Sequence, residues 1–550
     1  MKVFLLHAAR DVEFKPELQD PIYAAMMSGN PWALQNARRD LDRTAQRAEE
    51  PAAPGADDDL ARDLDLDILW RAMADGDGFI YETARRVVLS SLTDPVEIRF
   101  RQQVLGDVID HADVVRRLYD LAMEGLENER SASGMFWHSE TPEMTVRRCV
   151  SVLTLHLDVL RRLRRLADEQ AGRFRSRGFT RFFAMVGEEL TDDYLAQLDD
   201  HLHELTFSQG IHQSARLGRA DKGLDYVVHR APERRWLERL GLGRDGGYSF
   251  TIPPRDEAGA HALSDLRSRG LAGVADAVAQ GADHVKAFFT MLRLELAFYL
   301  GALNLHDLLI AKGEPICFPE PAPAAELALA AEGLYDVCLT LRLRGRAVGN
   351  RISADGIPLV VITGANQGGK STLLRGIGLA HLMMQAGLVV GAETFRASVR
   401  SSILSHFTRE EDATMSAGKL DEELARMSRV ADTLGRDGLL LCNESFSSTN
   451  EREGSEIARH VIDAMLDSGI RVGLVTHMYD LAHGLHEQRG DEAVFLRAAR
   501  GHEGRRTYRV TPGEPLPTSY GLDSYRRIFG ADPAATSQRP SSATWSRSAG

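Results

Sequence analysis

Residues 364–372 read Gly-Ala-Asn-Gln-Gly-Gly-Lys-Ser-Thr, which satisfies G-x-x-x-x-G-K-[ST]. The chemistry open to such a stretch is the cradling of phosphate. Gly364, Gly368 and Gly369 open backbone conformations closed to residues with a Cβ, so successive N–H groups can turn toward phosphate oxygens at the positive end of a helix. Lys370 adds a mobile charge for the β- and γ-phosphates, and Ser371 offers a hydroxyl to Mg²⁺, a hard cation that takes few protein ligands. The flanks agree: Pro358-Leu-Val-Val-Ile-Thr363 has the β-branched, apolar character of a buried parallel strand, and Leu373 to Gln385 carries apolar residues at helical spacing. ATP with Mg²⁺ is the expected ligand.

Two further segments end in polar groups suited to that ligand. Gly438-Leu-Leu-Leu-Cys-Asn-Glu444 is an apolar strand that would deliver groups to Mg²⁺ and to an attacking water, making Glu444 the candidate general base and Asn443 the candidate metal-side group. The usual residue at the first of these positions is Asp. A charge-assisted hydrogen bond is about twice as strong as a neutral one, so Asn443 predicts weaker Mg²⁺ binding and slow hydrolysis. Arg471-Val-Gly-Leu-Val-Thr476 is another strand, and His477 at its end could reach the γ-phosphate and sense its loss. His201 and His203 lie two apart, on different faces of a helix, and with His483 and His486 they are assigned no metal.

The scaffold for these groups follows from composition and pattern. With 550 residues, 43% hydrophobic and 26% charged, the chain suits roughly two to four domains with full cores and is not generally disordered. No membrane span is expected, since the best candidate, Ala287 to Ile310, carries Arg293, Glu295 and Asp307. The apolar run in Met1 to Arg10 is too short for a signal peptide, so a cytoplasmic protein is expected. Cys149, Cys317, Cys338 and Cys442 are scattered, with no zinc pattern. A net charge of −13 argues against indiscriminate polyanion binding by the whole surface. Locally the balance reverses: Arg147, Arg148, Arg161, Arg162, Arg164, Arg165, Arg173, Arg175, Arg177 and Arg181 face only Asp158, Asp168 and Glu169 between residues 145 and 181. That segment is either a solvated helix face or a DNA phosphate contact, and the use of Arg rather than Lys favours phosphate.

Residues 1–47 read as a helical lead-in and Ala48 to Asp67 as a Pro/Ala/Asp-rich acidic linker, so an N-terminal segment is expected to end near residue 60. Asp94-Pro-Val-Glu97 announces a helix through about Ala122. Helical texture fills 61–325 except for a small β or irregular insertion at 214–254, and His284 to Ile310 shows it most clearly. Beyond the Pro-rich joint at 317–323, strands near 337–344, 358–363, 438–444 and 470–476 alternate with helices, marking an α/β domain over 326–530. Residues 531–550 read as a disordered tail. The expected fold is thus multidomain, a mainly α-helical region followed by an α/β domain.

Taken together, Thr363 to Thr372, the Asn443-Glu444 pair followed by Thr449 and Gly454, Thr476-His477, and Ser519-Tyr-Gly-Leu522 resemble the ATPase domain of the MutS family of DNA mismatch-repair proteins. Upstream, Arg99-Phe-Arg-Gln-Gln103 and the long helices resemble the MutS core and lever region. The resemblance implies an ABC-type P-loop ATPase that dimerises, with nucleotide held between the loop of one subunit and a signature segment of the other. By position it assigns nucleotide contacts to Asn366, Gly368, Gly369, Lys370, Ser371 and Thr372, the catalytic carboxylate to Glu444 and the switch histidine to His477. Three departures stand out: Asn443 for Asp, the segment Met415 to Asp421 without the usual Ser-Thr-Phe, and Ser445-Phe-Ser-Ser448 for a glycine-containing stretch. Fewer than about 100 residues precede the core-like region and no aromatic-x-Glu wedge is placed there, so mismatch recognition is not expected. Two functions follow as expectations: an ATP-dependent DNA-binding protein of repair or recombination, read through its arginines, or a nucleotide-gated scaffold that hydrolyses weakly and docks a protein partner.

Overall fold

The computed structural model describes residues 1–10, 21–28, 33–37, 39, 56–133, 141–219, 223–230, 248, 250–409, 418–500 and 506–517. Its helices are α1 Pro21–Met27, α2 Ala56–Asp63, α3 Leu66–Ala74, α4 Gly78–Leu89, α5 Pro95–Asp110, α6 Ala112–Ser133, α7 Pro142–Gln170, α8 Arg177–Glu189, α9 Asp192–Glu204, α10 Glu257–Ala311, α11 Val337–Arg342, α12 Lys370–Ala386, α13 Lys419–Thr433, α14 Glu451–Asp467 and α15 Tyr479–Arg489. The strands are β1 His212–Leu217, β2 Gly223–His229, β3 Glu320–Ala322, β4 Leu329–Leu334, β5 Asn350–Ser353, β6 Leu359–Thr363, β7 Thr394–Ser398, β8 Ile403–Phe407, β9 Leu439–Asn443, β10 Arg471–Val475, β11 Ala493–Arg500 and β12 Arg506–Pro512. They form two compact units, each assembled from separated stretches: 1–47, 78–83 and 103–300 in one, 48–77, 84–102 and 301–550 in the other.

The first unit is helical because its caps and apolar faces agree. Thr141, Ser176 and Thr191 accept from the N–H three residues on, opening α7, α8 and α9. Along α10, Phe288, Phe289, Leu292 and Leu296 are buried together. Glu295 on the same helix is also buried, and its carboxylate takes the N–H groups of Leu5 and, at 2.8 Å, of Leu6. By length and apolar character α10 does reach the range of a membrane span, contrary to expectation, but most of that stretch is buried within the protein. β1 and β2 form an antiparallel pair that starts at His212, just before the insertion expected at 214–254.

The second unit holds the two larger sheets. Six strands lie in the order β12-β11-β6-β10-β9-β8, all parallel except β12, and four more in the order β3-β7-β4-β5. All five residues of β6 and of β10 are buried, as the continuous apolar runs require of strands covered on both faces. Arg471, at the start of β10, is 1% exposed and donates to the carbonyls of Leu327, Ala328, Ala354 and Ile357, so its charge is surrounded by acceptors.

Several expectations are corrected. The strand expected at 337–344 is the short helix α11, because the Asp336 carboxylate accepts from Leu339 N at 2.9 Å and so caps a helix. One helix from 95 to 122 becomes α5 and α6: buried Val104, Leu105 and Val108 are followed by His111 and Ala112, and the apolar series restarts at Val114. Met1 to Arg10 is not helical, although Leu5 and Leu6 are fully buried. The acidic linker is, from Ala56 on, the helix α2; residues 48–55 lie outside the described residues. Asp57, Asp58 and Asp59 form its first turn, where negative charge suits the helix dipole, while Leu60 and Leu64 are buried. Leu60→Ala is therefore expected to cost about 2–5 kcal/mol, read as a lowered urea midpoint. A loss below about 0.5 kcal/mol, the scale of surface substitutions, would return the segment to a linker.

Candidate functional site

β6 ends at Thr363, and the glycine-rich loop turns from it into α12. Gly369 sits at φ 96°, a left-handed conformation that favours glycine, and α12 begins after it with no side-chain cap. Its first N–H groups thus carry no helix partner. At Gly368 space decides instead: a Cβ would stand 2.7 Å from Ala498 Cβ and 2.8 Å from the Ala365 carbonyl oxygen.

Lys370 is 5% exposed. Its ammonium donates to Gly364 O at 2.8 Å and to Asn366 Oδ1 at 3.3 Å, and lies 3.6 Å from Glu444 Oε1. Burial lowers its pKa, opposed by the Glu444 charge. Ser371 Oγ donates to Asn443 Oδ1 at 2.8 Å. The parallel register sets Val475 beside both Ile362 and Asn443, so Thr363, Glu444 and Thr476 follow at neighbouring strand ends. Glu444 takes φ 55°, its N–H donating to Val475 O at 2.9 Å.

The Glu444 carboxylate is held from two sides. Oε2 accepts from His477 N at 3.0 Å and lies 2.5 Å from His477 Nδ1, while Oε1 faces Lys370. Burial alone would raise this carboxyl, but the His477 hydrogen bond and the Lys370 charge outweigh it and hold it below the ordinary carboxylate range. The same hydrogen bond raises the His477 imidazole against its partial burial. A cleft beside the loop is lined by Thr363, Gly364, Thr476, His477, Pro515 and Leu516. Among the described residues no cluster of three or more His, Cys, Asp or Glu could hold a metal. The donors present instead suit a hard cation carried by phosphate and water.

The structure thus brings Gly364, Asn366, Lys370, Ser371, Asn443, Glu444 and His477 together, with Thr372 in the first turn of α12. It also adds Thr408, which no sequence motif marks. Its N–H donates to Asn443 O at 3.0 Å and its hydroxyl to Glu444 O. The β8 strand that leads to it escapes notice because Ser405 and His406 interrupt its apolar run, although both are buried. Met415 to Ala417 and Ser519 to Leu522 lie outside the described residues.

The arginines separate into two sets. Arg161 pairs with Asp199 at 2.7 Å, Arg162 with Glu124 and Asp158, and Arg164 with Asp168 at 2.9 Å, while Arg173 bonds Gln170 Oε1 at 2.8 Å. Arg165, Arg175 and Arg177 are exposed, with no side-chain ion pair among the described residues.

The Glu444–His477 pair has a signed pH dependence. A depressed carboxyl contributes stability above the unfolded carboxylate range and loses it as pH falls through its folded value. A raised imidazole contributes below the unfolded imidazole range and loses it as pH rises through its folded value. The stability difference between wild type and His477→Ala is therefore expected to peak between those limits and shrink on both sides, measured as urea midpoints from pH 4 to 9. A difference independent of pH would remove the ion pair.

Two family models match in sequence order. Residues 93–312 match the MutS2 N-terminal domain and 360–531 match MutS domain V. Endonuclease MutS2 of Thermus thermophilus is 28% identical over 170 residues, 31% of this chain and 23% of that protein. DNA mismatch repair protein MutS of Desulforamulus reducens is 31% identical over 176 residues, 29% of this chain and 20% of the relative. Endonuclease MutS2 of Streptococcus thermophilus is 29% identical over 163 residues, 29% and 20% of the two chains. The chain thus spans about a fifth of the length of the curated relatives it matches. With one MutS model on the helical region and a second on the strands that carry the loop, Glu444 and His477, the chain belongs to the MutS family.

Proposed function

We propose that this chain is an ATP-dependent DNA-binding protein of repair or recombination, an ABC-type P-loop ATPase that works as a homodimer and answers to DNA structure rather than to a mispaired base. The observation that carries the reading is the convergence, at the ends of adjacent parallel strands, of an uncapped helix start, the Lys370 ammonium, the Ser371–Asn443 pair and the Glu444–His477 pair. Mg-ATP fits these residues. Backbone N–H groups of the loop and of the first turn through Thr372 would hold the phosphates, Lys370 the β- and γ-phosphates, and Ser371 with Asn443 the water shell of the metal. Bound Mg²⁺ supplies neutralisation of charge on the transferred phosphoryl group. Glu444, kept ionised, would accept the proton of the attacking water, and His477 would orient that carboxylate.

The DNA half rests on the relatives, named for mismatch repair and as endonucleases, and on Arg165, Arg175 and Arg177, which are free to meet phosphate. The scaffold reading is favoured by Asn443, a neutral group on the metal side, and by the acid partners of Arg161, Arg162 and Arg164.

Phosphate release and binding of a fluorescent ATP analogue test the first half. Glu444→Gln is expected to retain nucleotide binding and lose turnover by about 10² or more. Equal turnover in variant and wild type would remove Glu444 as base. The second half is tested by titrating duplex and branched DNA against salt. Joint replacement of Arg165, Arg175 and Arg177 by Ala is expected to reduce the salt slope by up to about three. If DNA does not bind at low salt with or without ATP, the scaffold reading replaces the DNA reading.

A further inference from the structure

Glu444 is also tied from behind, by groups that the nucleotide reading does not use. At the end of β8, successive side chains reach opposite ways. His406 Nδ1 lies 2.8 Å from Ser445 Oγ and its Nε2 3.0 Å from Glu423 O. Thr408 holds Asn443 O through its N–H and Glu444 O through its hydroxyl. Before them in the chain, Ser405 Oγ donates to Asp63 at 2.7 Å, and after them Arg409 pairs with Asp59 at 2.5 Å. Asp59 and Asp63 lie one turn apart on α2, so that helix grips the strand end on either side of Thr408.

The grip matters because of the backbone it holds. Glu444 at φ 55° and Phe446 at φ 62° are both left-handed without being glycine. Such residues are strained and persist only where their surroundings over-determine them. Phe446 is fixed by burial, at 1% exposure, and by stacking on His406 with ring centroids 5.4 Å apart. For Glu444, the carbonyl accepts from the Thr408 hydroxyl and, at 3.3 Å, from the Ser447 N–H, so Thr408 supplies its only side-chain tie among the described residues.

We infer that Thr408 is a positioning residue for Glu444: its hydroxyl pins the left-handed peptide that aims the carboxylate at His477 and Lys370, and Asp59 and Asp63 anchor the strand end from which it reaches. The inference rests on the proposed role of Glu444 in hydrolysis, so its test carries a readout that needs no turnover.

Thr408→Val keeps the side-chain shape and removes the hydroxyl, while Thr408→Ser keeps the hydroxyl. Affinity for a fluorescent ATP analogue is expected to stay within about twofold in both, with kcat down by about tenfold or more in Thr408→Val and recovered in Thr408→Ser. Independently, the His477 imidazole is titrated by NMR in histidine-labelled protein, its resonance assigned with His477→Asn. The charged groups facing that ring are Glu444, Lys370 and Glu451. In Thr408→Val the titration is expected to fall toward the ordinary imidazole value, and in Thr408→Ser to stay raised. A titration unmoved in Thr408→Val, or lowered equally in both variants, overturns the inference. If wild type binds ATP without turning it over, the hydrolysis reading fails and the titration still decides the positioning role. Should Thr408→Val not fold, Asp59→Asn takes the same titration, where a fall supports the tie and no change overturns it.

Discussion

A carboxylate drawn partly out of water must be compensated, and the strand ends of the second unit meet that constraint at Glu444. Desolvation pushes the group toward its neutral form, yet Lys370 on one side and His477 on the other hold it ionised. Each cation comes from a different strand end, Lys370 by way of β6 and its loop, His477 from β10. The carboxylate itself comes from β9, beside β10. Three strands must therefore be in register before this half-buried charge can be compensated, and the register pairs Val475 with both Ile362 and Asn443.

The loop that supplies Lys370 is constrained from its other side as well. The antiparallel hairpin of β11 and β12 adjoins β6, which brings Ala498 against Gly364 and Gly368 and the Tyr508 carbonyl within 3.0 Å of a Cβ at Gly369. The Arg506 guanidinium also donates to Gln367, which holds φ 59°. Glycine in this loop answers two demands at once, a backbone turned toward a helix start and a neighbouring hairpin that leaves no room for a methyl group. The second demand belongs to this fold rather than to phosphate chemistry.

Those two demands explain what could be read in advance. The loop, β6, β9 and β10 are legible because each is a local pattern: a motif of fixed spacing, then apolar runs that end abruptly in Asn443-Glu444 and Thr476-His477. What escapes is decided by distant partners. Ala56 to Asp63 has the composition of a linker, and only Ser405 and Arg409, more than about 300 residues away, make its aspartates the polar side of a packed helix. The run at 337–344 is apolar enough for a strand, and a single carboxylate, Asp336, turns it into a helix. The arginines show the same limit. Sequence counts their charge, but Glu124 and Asp199, each more than about 30 residues distant, decide which of them are already spent.

Asn443 takes its meaning from this arrangement of charge. Within the site stand the Lys370 ammonium, the Glu444 carboxylate and an imidazole whose raised titration keeps it cationic over more of the pH range. An aspartate at 443 would bring the balance toward neutrality and place a second anion near Glu444, disfavouring its ionisation. The amide avoids that repulsion and still accepts from Ser371 Oγ, so the Ser371 side chain keeps its orientation. What the site gives up is charge-assisted hold on a hard cation, and what it keeps is net positive character facing the loop. On the proposed reading, nucleotide affinity then depends more on the loop N–H groups and Lys370 than on the metal. Such a division favours a site that senses bound nucleotide over one that turns it over quickly.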